Sequence, residues 1–374
     1  MSCPTASGQL LHLSLMVSAR IEGLRSSLAR QDLDFLFVTH LPNIRYLTGF
    51  TGSAGVLVVG DGQAVFTTDG RYKEQARDQV QGVPVVVGRQ AALLTAAEWL
   101  SARRRGKATM GIEAVHMSVS DHERLCSRLG KRFTITAAPP LIEQQRMVKD
   151  AAEIALIRQA VLFAAKLFER LLATVRPGIR ETRIAAELEY AARQGGCEGM
   201  AFDTIIASGS RSALPHGRAS DQPIPRRGFV VSDFGVILGG YCSDMTRTFH
   251  VGRPDKQARI FYQAVHDAQL AGIEAVRPGV PASEVDRAAR HALRSSGWGR
   301  YFTHSTGHGV GLEIHEAPRL ASGQTELLRP GMVITIEPGA YVPRQWGVRV
   351  EDMVVVTEQG CEVLTPTTKK LISL

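Results

Sequence analysis

The sequence predicts an α+β protein in which a smaller α/β domain precedes a larger domain made of two related halves. Three observations point there. Residues 20–136 alternate short β-rich runs with helical stretches, the pattern of an α/β domain. Pro139 and Pro140 then stop a strand, and an apolar pattern at helical spacing opens at Asp150. Finally, "VRPGIRETRIAAELEYAARQGG" from Val175 returns as "VRPGVPASEVDRAARHALRSSGW" from Val276, an internal repeat with an offset of 101 residues.

Taken in order, the N-terminal "MSCPTASGQLLHLSLMVSAR" has a short apolar run but no basic segment ahead of it, and His12 interrupts it. It reads as a non-secretory extension over residues 1–18, with Met16 as an alternative start. The first domain is assigned to residues 19–145, with strands in "DFLFVTH", "AGVLVVG", "AVFTTD", "VPVVVG" and "FTITAA". The second domain is assigned to residues 146–374 and begins with the helix "DAAEIALIRQAVLFAAKLFERLLATV", which carries acids at its start. In each half, Pro-Gly ends one helix and an amphipathic helix follows. A glycine-rich segment comes next ("IIASGS", "HSTGHGVGLEIHE"), then a strand ending in acid-x-Gly ("VVSDFG", "VITIEPG"), then a strand with a further acid ("YCSDMTRTF", "VRVEDMVVV"). Two halves that each bring a two-acid strand pair suggest a site between them.

Composition removes several classes. No apolar run reaches the ~18 residues of a membrane span. The five cysteines are odd in number, scattered and without a Cys-x-x-Cys pair, which argues against a disulfide framework or zinc ribbon and for a reducing, cytoplasmic setting. The formal net charge of +8 raises nucleic acid, yet only "SARRRGK" at 101–107 is dense, and it reads as a solvated helix end.

The segment "FVVSDFGVILGGYCSDMTRTFHVG" places Asp233 and Asp244 in an otherwise apolar hairpin. In a hairpin closed by two residues, facing positions have numbers whose sum is odd, and these two meet that condition whether the turn is Leu238-Gly239 or Gly239-Gly240. Both therefore point to one face, as direct or diagonal neighbours about 5 to 8 Å apart. Carboxylates so close raise each other's pKa, a conflict that divalent cations remove. The other half supplies Glu337 and the pair Glu351-Asp352, of which strand alternation allows one to face the site. Parity does not choose, because the loop 340–347 shows no obvious turn type, and aligning "SDM" with "EDM" favours Asp352.

Among the histidines, His304 and His308 stand at the i, i+4 spacing of a zinc helix, but Gly307, Gly309 and Gly311 would break it. Those glycines suggest extended or turning backbone brought close to something. His315 follows, and His216 lies in a loop of the first half. A lone acid or histidine in a strand is ordinarily structural, yet that account would have to hold separately for two strand pairs and a histidine cluster. Oxygen ligands with one imidazole suit Mn²⁺, with Co²⁺ or Zn²⁺ as alternatives. Four carboxylates balance two divalent ions, which together support hydrolysis.

These segments, with "FDTIIASGSRSALPHGRASD", "GMVITIEPGAYVP", "NIRYLTGFTGSAGVLVV" and "TTDGRYKEQA", resemble the pita-bread metallopeptidases over residues 20–374. The similarity is to the Xaa-Pro aminopeptidase (aminopeptidase P) and Xaa-Pro dipeptidase (prolidase) branch, which includes creatinase. It implies a duplicated pita-bread catalytic domain behind a creatinase-type N-terminal domain. It also implies metal ligands Asp233, Asp244, His308, Glu337 and Glu351, with Asp244 and Glu351 bridging two ions. By the same resemblance His216, His304 and His315 bind substrate and stabilise the tetrahedral intermediate, Arg349 supports the bridging glutamate, and Glu337 is the partner for the proton. The implied reaction removes an N-terminal residue ahead of proline, with prolidase activity restricted to dipeptides as the alternative and a non-catalytic binding protein as the contrasting one. A homodimer is implied too. Val236 and Met200-Ala201 depart from the family's common residues beside the pocket.

Overall fold

The structure, a computed structural model, describes residues 6–374 apart from Asp61, and side chains from Met16 onward. The chain divides into two compact units, the first ending at Arg146 and the second spanning Met147–Leu374.

The first unit comprises α1 (Ala6–Arg30), β1 (Phe35–Val38), α2 (Leu41–Thr48), β2 (Val56–Gly60), β3 (Gln63–Asp69), α3 (Lys73–Gln79) and β4 (Val85–Gly88). It continues with α4 (Ala92–Arg103), β5 (Ala108–Ile112), α5 (Val119–Leu129), β6 (Phe133–Ala137) and α6 (Leu141–Arg146). Its strands form one mixed sheet in the order β4-β3-β2-β1-β5-β6. Phe37, Val58 and Val65 of that sheet pack with Ala96 and Leu100 of α4, alternate strand residues meeting one helix face. Strand β5 is the element the sequence pattern does not announce. "ATMGI" lacks alternation and contains Gly111, where a Cβ would lie 2.9 Å from Leu33, so close packing rather than propensity makes it a strand.

The extension expected over residues 1–18 has no break at its far end. From Ala6 to Arg30 α1 is continuous, and Val17, Ile21, Leu24 and Leu28 are buried at helical spacing. Residues 1–5, including Cys3, lie outside the described residues. The "SARRRGK" cluster does fall at a helix end, where the Arg103 guanidinium sits 4.5 Å from the Trp99 ring centroid.

In the second unit the first half holds α7 (Ala151–Thr174), α8 (Glu181–Gln194), β7 (Gly199–Met200), β8 (Ile205–Ser208), β9 (Gly228–Phe234), β10 (Val236–Leu238), β11 (Tyr241–Cys242) and β12 (Met245–Val251). The other half holds α9 (Lys256–Ala275), α10 (Ala282–Ser295), β13 (Gly307–Gly309), β14 (Glu316–Leu320), β15 (Val333–Ile336), β16 (Gly339–Val342), β17 (Trp346–Arg349), β18 (Asp352–Val356) and β19 (Cys361–Val363). The repeat recurs in the sheets. Order β12-β9-β8 in one is matched by β18-β15-β13 within the five-stranded order β14-β13-β15-β18-β19 of the other. Each half also turns its Pro-Gly the same way: Gly178 (φ 88°) donates to the Ile224 carbonyl and Gly279 (φ 83°) to the Leu328 carbonyl. The fold is a duplicated pita-bread domain following a creatinase-type α/β domain.

Helix α7 starts where the acids place it. Asp150 accepts from the Ala152 and Glu153 amides while the Glu153 carboxylate accepts from the Asp150 amide, a complete capping box. Asp150→Ala is expected to lower stability by about 1 kcal/mol, read as a shift in the urea midpoint of the transition that reports this unit.

Candidate metal centre

The hairpin turns at Gly239-Gly240, whose φ values of 58° and 85° are those of a two-residue type I′ turn. Leu238 faces Tyr241, Ile237 faces Cys242, and farther along Asp233 faces Thr246. Asp244 is thus the diagonal neighbour of Asp233 on the same face. Between them the chain narrows at Gly235, where a Cβ would lie 1.8 Å from the Ser243 carbonyl oxygen.

Ligand-type atoms of Asp244, His308 and Glu351 all lie within 4.8 Å of one another. His308 is on β13, not on a helix, and its Nδ1 donates to its neighbour's carbonyl, that of Gly309, at 3.0 Å. That leaves Nε2 turned to Asp244 Oδ2 at 3.6 Å and Glu337 Oε1 at 3.3 Å. Glu337 stands just past β15, and its Oε1 also accepts the Thr335 hydroxyl at 3.1 Å. Asp233 faces the same cavity and pairs with Arg349 Nη2 at 2.5 Å. Arg349 Nε reaches the Thr246 hydroxyl, which donates to Glu351 Oε2 at 2.7 Å.

Burial pushes the Asp244 carboxyl well above its ordinary range, and Glu351, Asp233 and Glu337 push it further. Glu351 is raised in the same way, by burial and then by Glu337 and Asp233. Asp233 is raised by burial, against the pull of Arg349. Burial opposes ionisation of Glu337 as well, but the hydrogen bond and charge of His308, with His304 and Arg349, hold it at about 2. One guanidinium and one imidazole do not offset four carboxylates. In addition Asp233 Oδ1 and Glu351 Oε1 are buried with no hydrogen-bond partner among the described residues, which a native interior rarely leaves unanswered. Oxygen donors with one imidazole suit hard or borderline divalent cations, so the residues fit such ions.

The choice between Glu351 and Asp352 follows from strand alternation. Asp352 opens β18 with its carboxylate on the opposite face, fully buried against Arg247 (2.7 Å), Lys369 (2.7 Å) and Gln269 (2.9 Å). Its charge is already met; that of Glu351 is not.

Asp233, Asp244, His308, Glu337, Glu351, Arg349, His216, His304 and His315 all line one cavity of about 700 Å³. His216 and His315 are exposed there, and the rings of His308 and His315 meet edge to face at 4.4 Å. His304 is half-buried, its loss of hydration lowers its pKa, and both its nitrogens are engaged: Nδ1 donates to the Ser305 carbonyl and Nε2 accepts from the Tyr341 hydroxyl at 3.0 Å. That hydroxyl accepts from Arg349 at 2.7 Å, so Tyr341, Thr246 and Thr335 support the centre without any motif to announce them. Only the tightness at Gly339, where a Cβ would meet the Tyr341 hydroxyl at 2.4 Å, links Tyr341 to the quoted "EPG".

A duplicated fold with paired acids and a histidine around one cavity defines a metal-dependent hydrolase. A match to metallopeptidase family M24 spans residues 155–358, and a match to the creatinase/prolidase N-terminal domain spans residues 20–148. The chain belongs to metallopeptidase family M24. It is 38% identical over 356 residues to the Xaa-Pro dipeptidase of Pyrococcus furiosus, covering 94% of this chain and 99% of that one. In structure it is similar to an Xaa-Pro dipeptidase from Bacillus anthracis, at a TM-score of 0.91 and 39% identity over 96% of this chain and 100% of the other. It is also similar to an X-Pro aminopeptidase from Thermotoga maritima, at 0.86 and 34% over 95% and 100%.

Two substitutions separate the faces of the strand pair. Asp244→Asn is expected to reduce divalent metal retained after dialysis, read by elemental analysis. Asp352→Asn is expected to keep the metal but to lower stability by roughly 3 kcal/mol, because Arg247 loses a buried partner.

Proposed function

We propose that the protein is a dinuclear metal-dependent exopeptidase that hydrolyses the bond between an N-terminal residue and proline. The observation that carries this is the convergence of Asp244, His308 and Glu351 in a cavity shared with Asp233 and Glu337, within a chain similar to Xaa-Pro peptidases along its length. Asp233, Asp244, His308, Glu337 and Glu351 would hold two divalent ions, Mn²⁺ first, with Co²⁺ or Zn²⁺ as alternatives. When bound, such ions lower the pKa of water and polarise a carbonyl.

The chain's own residues do the rest. Glu337, oriented by Thr335, accepts the proton of the attacking water. His216 and His315, exposed in the cavity wall, orient the peptide and offer hydrogen bonds to the developing oxyanion. His304 acts with Tyr341 and Arg349, a run of hydrogen bonds that ends on Asp233. By resemblance and cysteine usage we read the enzyme as a cytoplasmic homodimer whose partners are peptides, not nucleic acid or membrane.

A second reading, an Xaa-Pro dipeptidase, is favoured by Arg319. Its guanidinium lines the cavity with no carboxylate partner among the described residues, and such a group pairs well with the free carboxylate of a dipeptide.

A dipeptide Xaa-Pro and a tripeptide with one residue after proline, each assayed with and without Mn²⁺, separate the two readings. Cleavage of both supports the aminopeptidase, and cleavage of the dipeptide alone the dipeptidase. Absence of hydrolysis across such peptides overturns the enzyme reading. His304→Ala is expected to lower kcat by about 10²-fold while sparing bound metal; loss of metal in that variant contradicts its assignment.

A further inference from the structure

In the wall of the cavity, which Glu316 lines, lies a buried ion pair that the chemistry above does not use. Lys149 Nζ donates to Glu316 Oε2 at 2.9 Å, with side-chain exposures of 1% and 7%. The Lys149 amide is tied to the Gly331 carbonyl at 2.9 Å, so the ammonium projects from fixed backbone. On the other side of the carboxylate, Oε1 accepts the Glu313 amide at 3.1 Å. The same carboxylate fills the space beside Gly311, where a Cβ would lie 2.6 Å from both oxygens. Gly311 in turn donates to the Glu313 carbonyl at 3.0 Å and accepts the Cys242 amide at 2.8 Å.

Resting on the assignment of His315 made above, we infer that Lys149 and Glu316 are positioning residues for His315, acting through this ion pair on the loop 311–315. Among the described residues the His315 imidazole makes no hydrogen bond; it only meets the His308 ring edge to face at 4.4 Å. Its place is therefore set by its backbone, and Glu316 is the next residue along. A buried ion pair is seldom more stabilising than an apolar pair of the same volume, so stability is a weak reason for one here. What the pair adds is direction. A carboxylate that must meet an ammonium on one side and the Glu313 amide on the other fixes the loop in one arrangement, as an apolar contact does not. Ile314, which lines the cavity, belongs to the same loop.

The test compares Lys149→Met, Lys149→Arg and Glu316→Gln with the wild type by three measurements. These are kcat and KM on an Xaa-Pro peptide, bound Mn²⁺, and the His315 imidazole NMR signals in metal-free protein, assigned through His315→Gln. Lys149→Met is expected to shift or broaden the His315 signals and leave those of His216 in place. It should also reduce kcat roughly tenfold to a hundredfold at unchanged bound metal, the scale expected of a misplaced group. Lys149→Arg, which keeps the charge, should restore most of the kcat. Unmoved His315 signals with kcat within about twofold of wild type would overturn the inference. Where Lys149→Met leaves too little folded protein, Glu316→Gln, which keeps the shape and the acceptor for Glu313, decides in the same terms. Should the wild type cleave no Xaa-Pro peptide, the functional reading falls, and the His315 signals still decide this one.

Discussion

Four carboxylates, two from each repeat, converge on one cavity, and their mutual repulsion is the constraint to which the surrounding structure answers. Neither Arg349 nor His308 suffices, since each touches only part of the group. The hydroxyls of Thr246 and Thr335 each orient one carboxylate oxygen, yet oxygens on Asp233 and Glu351 are left with no hydrogen-bond partner among the described residues. Groups held this way cost several kcal/mol unless positive charge arrives. Duplication makes the arrangement attainable: two copies of one sheet order each deliver acids from strand ends, where the backbone is rigid and side-chain directions are set by the pleat.

How much of this was legible in the sequence depended on whether a periodicity or a turn residue marked it. The face shared by Asp233 and Asp244 was readable because strand alternation is strict and Gly239-Gly240 supplies the positive φ values of a tight turn. The repeat was readable because Pro-Gly returns at a fixed distance. The decision between Glu351 and Asp352 was not. The intervening hairpin between β16 and β17 turns through Pro343–Gln345, and the left-handed position falls on Arg344 (φ 62°), where a glycine would have been the signal. Thr246 and Lys149 were also hidden, since their roles arise from contacts between segments far apart in the chain, and Thr335 and Tyr341 lie near their partners in sequence but with no turn residue or periodicity to mark them.

The glycines of "GHGVG" show the same limit from the other side. Their presence said that backbone comes close to something, and the structure identifies what. A Cβ on Gly307 would lie 2.0 Å from the Thr335 carbonyl oxygen, and on Gly309 2.2 Å from that of Ala317. At Gly311 the close neighbour is a side chain, the Glu316 carboxylate. Strand packing explains the first two; the third belongs to the loop that carries His315.

Arg247 holds the Glu351 carbonyl and Asp352 on one side, and it also donates to the carbonyls of Thr246, Thr367 and Thr368, while Lys369 closes on Asp352. The strand that presents Glu351 is thus braced by residues translated after it. During synthesis the acids of the first repeat emerge well over a hundred residues before that brace, so the nascent chain carries a half-built centre until the segment around Lys369 has cleared the ribosome. A fusion that strains this segment would therefore act on Glu351 from outside the cavity.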